Sequence, residues 1–436
     1  MKRIKLLFAF ILLCTVIIQA QTAPVSTFIL TALKDGDLKD QKDIIDYLEG
    51  SSANMPIIDD IEVRIRNEAF KFDRQRYSLR VEPRGLGETR ASKEYYKATI
   101  KYQKQKKDVV EHELLTDRYT FIIELLNYQA IYRLHKDLIT LYEDRIKVLQ
   151  TQMEDTKIDL SDIIKAEDKL SRFKFENLER ERRIKKMEEK IAKYLKEEGL
   201  TTFDTTGFID VENIGKEVDT VTYTIDKNNV YLEYDHRDFQ LAKSRYNLET
   251  AEGRRYINFF QFSYDHDNMM DEWEIKEDNE TLPDYLKQDY NLNRAYIMEV
   301  GLRIPFFNID RHDIHRRKMN YLKAKEDWKD LERTLERRLE KDVEDIRLLV
   351  SQYNFLKARR DDVQAESSLK KYLEMDGVDP LILLSIRESI IENDIELEKI
   401  KFDIFRNYIR LLDTSGKISE KPLVNYLSMN REIIAK

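Results

Sequence analysis

From Arg294 to Arg317 the chain reads RAYIMEVGLRIPFFNIDRHDIHRR, and its pattern changes halfway. Tyr296, Met298, Val300, Leu302 and Ile304 fall on every second position, the period of a strand with one apolar face. Beyond Phe307 the chain turns charged. From Leu331 onward, Leu335, Leu339, Val343, Ile346, Tyr353 and Leu356 keep one face of a helix whose other faces are Arg, Lys, Asp and Glu. Read as one helix, Asp310 to Tyr372 is about 63 residues and about 95 Å long at 1.5 Å per residue. No globular domain needs an element of that length.

The same succession occurs upstream. In QRYSLRVEP, Gln75 to Pro83, the residues Tyr77, Leu79 and Val81 alternate with Arg76, Ser78, Arg80 and Glu82. A strand over roughly Ile61 to Lys71 precedes it, and a long charged helix follows. Placing Tyr77 on Tyr296 and Val81 on Val300 takes the same offset of 219, which also lays YQKQK at Tyr102 on YLKAK at Tyr321 without a gap. Strand and helix match in one register, so the chain reads as an internal duplication.

Each half predicts two strands, a long helix, a sharp break and a returning helix. The breaks are MEDTKIDLSDIIK at Met153 to Lys165 and MDGVDPLILLSIR at Met375 to Arg387. Gly377 suits a positive φ, Asp379 an N-cap and Pro380 the first turn of the returning helix. The returning helices run to about Leu195 and Leu412. The expected organisation is a leader over 1–20, an N-terminal segment over 21–60 short of clear helix with LKDQKDIIDYLEG its best candidate, and a strand pair over 61–84. A helical hairpin follows over 85–197, then a Thr-rich connection over 198–230 and a helix over 231–254. The second strand pair spans 255–306, with an acidic loop at 266–291, and leads to a second hairpin over 307–412 and a tail over 413–436.

Composition agrees: only 11 Gly and 7 Pro occur in 436 residues, and 36% of residues are charged, as in long helices rather than a compact enzyme. The start, MKRIKLLFAFILLCTVIIQAQ, joins a basic end to an apolar run from Leu6 to Ile18, the form of a signal peptide cut after Ala20. The single cysteine, Cys14, lies inside it; lipid attachment there is the competing reading, against which the large Leu13 counts. Losing this segment moves the net charge from −8 to −11, with no basic footprint for nucleic acid. No later segment has about 18 consecutive apolar residues, which excludes a helical span but not a barrel.

VGLRIPFFNIDRHDIHRRKMNYLKAKEDW, taken with the signal peptide and the duplicated strand-plus-hairpin unit, resembles the TolC-like outer-membrane efflux proteins. The resemblance covers nearly all of the mature chain and rests on the order of parts. It implies a mainly α fold with a small β part, made of duplicated long helical hairpins and four strands per chain. It further implies a homotrimer sharing a twelve-stranded transmembrane barrel in the outer membrane of a Gram-negative bacterium, with most of the chain periplasmic. Partners would be a periplasmic adaptor, an inner-membrane transporter and outer-membrane lipid. On this reading Tyr77, Leu79, Val81, Tyr296, Met298, Val300 and Leu302 meet lipid, while Arg76, Arg80, Glu299, Gly301 and Arg303 line the lumen. The hairpin ends would form the adaptor contact and aperture, carried by Asp155, Thr156, Asp159, Asp162, Met375, Asp376, Gly377 and Asp379. Leu383 stands where a second aperture acid is expected, and an acidic ring from both repeats would then need Asp376 or Asp379, which are close enough in sequence to substitute.

The chemistry of sites offers little else. His312 and His315 are the one close His pair and sit among Arg, which disfavours a metal; DHDNMMDEWE lacks the spacing of a calcium loop. No G-x-S-x-G, phosphate loop or Cys-His couple occurs. The expectation is therefore a passive exit duct for efflux or type I secretion, with no enzyme activity and no cofactor. The alternative is a periplasmic or secreted coiled-coil scaffold without a membrane barrel.

Overall fold

The computed structural model describes residues 21–51, 57–67, 74–155, 160–197, 199–226, 228–267, 296–302, 311–361 and 379–435. The helices are α1 (Val25–Leu30), α2 (Gly36–Ser51), α3 (Leu86–Asp155), α4 (Leu160–Leu195), α5 (Val211–Thr220), α6 (Val230–Glu252), α7 (Arg311–Asp361) and α8 (Pro380–Ser415). The strands are β1 (Gln21–Ala23), β2 (Ile58–Asn67), β3 (Arg74–Pro83), β4 (Leu200–Phe203), β5 (Ile257–Asp267), β6 (Tyr296–Leu302), β7 (Leu423–Val424) and β8 (Ile433–Ala435). The chain divides into two compact units, Asp40–Lys107 with Leu232–Leu331, and Met1–Lys39 with Asp108–Tyr231 and Glu332–Lys436.

The larger unit has a continuous apolar core. Phe28 of α1, Tyr119, Ile122 and Leu125 of α3, Ile191 of α4 and Ile214 of α5 are all but inaccessible, as are Ile346 of α7 and Ile404, Tyr408 and Leu412 of α8. The Thr-rich connection belongs to this core: β4 pairs parallel with β1, and Asp210 caps α5 by accepting from the Asn213 amide at 2.7 Å. The tail, unreadable from sequence, also packs inward through Ile418, Leu423, Tyr426 and Leu427. It is released from α8 at Gly416, whose φ of +81° lets its amide reach the carbonyls of Asp413 and Leu412. That cap puts the helix end at Ser415, three residues past the expected Leu412.

In the smaller unit, β2, β3, β5 and β6 form one antiparallel sheet in that order. Glu88 starts α3 with a capping box, its carboxylate accepting from the Gly85 amide at 3.2 Å. In the N-terminal segment α2 covers Gly36–Ser51, over the stretch LKDQKDIIDYLEG, its best helix candidate, and the Tyr96 hydroxyl donates to its Leu48 carbonyl at 2.7 Å. Alternating Asp and Lys leave that helix a narrow apolar stripe. Two strand starts shift as well. β2 begins at Ile58, paired with Pro83, rather than at Ile61. β5 begins at Ile257 rather than Arg255, because the amides of Arg254 and Arg255 close the end of α6 onto Ala251 and Glu252. The acidic loop 268–295 and the stretch from 362 to 378 lie outside the described residues.

Candidate functional site

The sheet segregates its two faces in full register. Val63, Leu79, Phe262 and Met298 stand in one cross-strand row, flanked by Ile65, Tyr77, Tyr264 and Tyr296 on one side and Ile61, Val81, Phe260 and Val300 on the other. This face is open: the middle row is 69, 42, 51 and 62% exposed in that order. Apolar residues at such accessibility in three adjacent rows make a patch of the kind that marks a membrane or partner surface. The seven residues assigned to lipid from sequence all lie on it, Leu302 extending it opposite Ile257.

The opposite face is polar. Its rows place Arg66 beside Arg76, Arg64 beside Ser78, Ser263 and the half-buried Ile297, and Glu62 beside Arg80, Gln261 and Glu299, so Ile297 is an apolar exception on it. Arg64 pairs with Glu62 at 2.6 Å and Arg80 with Glu82 at 3.0 Å. Arg76, Arg80 and Glu299 thus share the face assigned to a lumen, while Arg303 lies outside the described residues. One feature differs from the expectation. Gly301 is not an open lumen position, because the Phe259 ring fills it so closely that a Cβ would sit 2.4 Å from Cε1. The Arg80 guanidinium lies over the same ring at 3.8 Å. Consecutive Phe259 and Phe260 blur the alternation in the sequence, which is why this plug on the polar face was missed.

In the larger unit the hairpin ends are partly described. Asp379 is the N-cap of α8, accepting from the Leu381 amide at 3.0 Å, with Pro380 in the first turn. It also accepts from Gln152 of α3 at 3.3 Å, so two hairpin segments meet there. Asp162, in the first turn of α4, is exposed and pairs with Lys165 at 3.2 Å. Asp155 ends α3, and nothing is described of its side chain; Thr156, Asp159, Met375, Asp376 and Gly377 lie outside the described residues.

Two polar clusters in this unit were not legible from sequence, since their members lie far apart in the chain. Glu388 of α8 accepts from Arg145 at 2.5 Å, from Lys169 at 3.3 Å and from the Tyr142 hydroxyl. Burial works against its charge, but these hydrogen bonds outweigh it and hold the carboxyl below the usual range. Deeper, His112 is wholly buried, with Nε2 2.9 Å from Asp413 and Nδ1 2.8 Å from the Ser419 hydroxyl. The spacing is that of a Ser-His-Asp triad. Thr116 at 3.1 Å and Tyr231 at 3.0 Å also donate to Asp413, so the carboxylate is tied into a buried hydrogen-bond network joining α3, α6 and the end of α8. Among the described residues no group of three or more potential metal ligands occurs, and no helix is long and apolar enough to cross a membrane.

No protein-family model matches the chain, and no curated protein sequence does. Solved structures do resemble it. The outer membrane protein VceC of Vibrio cholerae is 12% identical, with a TM-score of 0.59 over 90% of this chain and 96% of that one. The CmeC outer membrane channel of Campylobacter jejuni is 11% identical, with a TM-score of 0.59 over 94% of this chain and 87% of that one. CusC, described for folding and transmembrane channel formation, is 10% identical, with a TM-score of 0.61 over 91% and 95%. The chain therefore shares the fold of these proteins, mainly helical with a small sheet part.

Proposed function

We propose that the chain is one protomer of a homotrimeric exit duct in the outer membrane. The duct passively conducts cargo delivered by an inner-membrane pump through a periplasmic adaptor. The observation that carries this reading is the four-stranded sheet, apolar on one face and polar on the other, with β2 and β6 as open edges. In lipid each unsatisfied edge amide or carbonyl costs several kcal/mol, so an open sheet of this kind is unstable there unless its edges meet. Cyclic symmetry meets them: β6 of one copy pairs with β2 of the next until the sheet closes. Three copies of four strands give a twelve-stranded barrel, lipid outside and polar side chains within. The fold shared with VceC and CmeC, which are named as an outer membrane protein and an outer membrane channel, supports the same reading. On it, Asp162 and Asp379 lie at the adaptor-facing hairpin ends, and the protein does no chemistry of its own.

Planar-bilayer conductance of the detergent-purified protein, together with its mass in solution, tests the proposal. Discrete channels from a trimer are expected. A monomer or dimer that stays soluble without detergent and never conducts refutes it and points to a periplasmic scaffold.

A further inference from the structure

We propose that the α2 stripe formed by Asp40, Asp43 and Tyr47 of one copy seats on the α7 stripe formed by Arg316, Met319 and Lys323 of the next. The inference rests on the duct reading, since it requires β6 of one copy to pair with β2 of another, but it adds a specific helical seam.

The chain shows in itself what accompanies such a strand pair. β3 belongs to the first repeat and β5 to the second, and they pair through Tyr77 opposite Tyr264. The helices attached to them, α3 after β3 and α6 before β5, then touch. The hydroxyls of Tyr102 and Tyr234 are 2.6 Å apart with ring centroids at 5.2 Å, and Arg245 lies 6.0 Å from the Tyr95 ring. By the duplication, β6 and α7 correspond to β3 and α3, while β2 and α2 correspond to β5 and α6. Joining β6 to the next copy's β2 therefore brings α7 against that copy's α2.

The surfaces fit the role. α6, with neighbours on both sides, is half-buried along nearly its whole length. α7 is covered on one side only, where Arg317 meets Glu249 at 3.4 Å, Tyr321 stacks on Tyr246 and Trp328 on His236. At 100° per residue, the opposite side carries His312, Arg316, Met319 and Lys323, all exposed, Met319 at 66%. α2 turns Ile45 inward, and its opposite side carries Asp40, Asp43 and Tyr47, with Tyr47 at 74%. One stripe is acidic and the other basic, so the two pair opposite charges.

The direction also agrees. α2 runs toward its strand and α7 away from its own, so the two meet antiparallel. The level follows from the same template. Tyr102 faces Tyr234 where α3 meets α6, and Tyr77 faces Tyr264 where β3 meets β5. Carried to the next copy through the in-chain registers of β2 with β3 and β5 with β6, this sets Asp43 level with Arg316, Asp40 level with Met319 and Tyr47 level with His312. Arg316, which keeps a 3.0 Å pair with Asp313 in its own helix, then meets Asp43 as well.

Intermolecular disulfide formation tests the seam. In the full chain carrying Cys14→Ser, the pair Asp40→Cys and Met319→Cys, oxidised in detergent, is expected to give covalent dimers and trimers on a non-reducing gel. The off-stripe exposed pair Lys42→Cys and Lys329→Cys is expected to give none. Asp43→Lys alone should lower the temperature at which the trimer dissociates, and Arg316→Asp in the same chain should return it. A conducting trimer that cross-links equally through both pairs, or through neither, overturns the seam while leaving the duct intact. A protein that never forms a trimer overturns both.

Discussion

Met298 and Glu299 are adjacent in β6 and face opposite ways, so the same substitution at each isolates the environment of one face from that of the other. Met298 sits in the middle of the three apolar rows, beside Phe262, and Glu299 sits on the polar face opposite Gln261. An arginine on the lipid side of a barrel near the bilayer midplane costs about 2–4 kcal/mol, falling to about 0–1 toward the interfaces. The middle row is the deepest described, so Met298→Arg should fall in the upper range. Because every copy carries the change, a trimer loses about 6–12 kcal/mol, enough to abolish insertion of a marginally stable barrel. Glu299→Arg keeps a solvated charge on the polar side and should cost about 1 kcal/mol or less, as other surface substitutions do. The measurement is the urea midpoint for folding into phosphatidylcholine vesicles, read from the mobility of unheated samples on a gel. Equal midpoints for the two variants, or a larger loss at Glu299, would refute the face assignment and with it the barrel.

Three further outcomes follow from particular contacts. His135 is buried beside Arg180, whose Nη1 is 3.3 Å from Nδ1, with Glu176 at 4.0 Å and Phe173 edge-on. Burial first and then the Arg180 charge, with a smaller push from Lys399 and only Glu176 opposing, bring it from 6.5 down to about 4. The unfolded chain therefore binds the proton first, so stability falls as pH drops from 6.5 toward about 4. After discounting for screening the loss is about 2 kcal/mol, and His135→Phe should flatten this part of a pH series of circular-dichroism melts. Glu388→Gln should destabilise the hairpins by about 1–3 kcal/mol, since Arg145 and Lys169 keep their charges without the carboxylate. Its carboxyl is held below the ordinary range, so the wild-type advantage over this variant is present above the unfolded value of 4.5 and should vanish as pH falls through the folded one. Gly301→Val should cost about 1–3 kcal/mol in vesicle folding by expelling the Phe259 ring, and Phe259→Ala in the same chain should recover part of the loss.

Regular elements were legible in the sequence because each carries its own period over enough residues. Tyr296 to Leu302 and Tyr77 to Val81 alternate cleanly, and Leu335, Leu339 and Ile346 sit deeply buried where the helical period puts them. The cap at Asp379 followed from local chemistry, since an acid before Pro needs nothing distant. What escaped was whatever depends on chain segments far apart. Tyr142 and Glu388 are 246 residues apart, and His112 and Asp413 are 301, so no window of sequence holds both partners. α2 was legible only as a candidate, LKDQKDIIDYLEG, because in the smaller unit it buries Ile45 and half-buries Leu48, a narrow stripe among Asp and Lys.

The distribution of burial ties the sheet to the proposed assembly more firmly than the strand pattern alone. Both apolar clusters lie wholly in the larger unit, where α1, α3, α4, α5, α7, α8 and the tail supply them. In the smaller unit the buried apolar residues described are only Ile45, Ala91, Leu232 and Ala324, while ten of the twelve apolar side chains in the three rows of its sheet are exposed. Burial of apolar surface is the main term that offsets chain entropy, so a unit with so small a core is unstable in buffer on its own. Lipid against the apolar face, and a second copy against the open strands and the bare side of α7, would each supply the missing contacts. A water-soluble scaffold would instead have to cover that face from within its own chain, and no described element of the smaller unit lies over it.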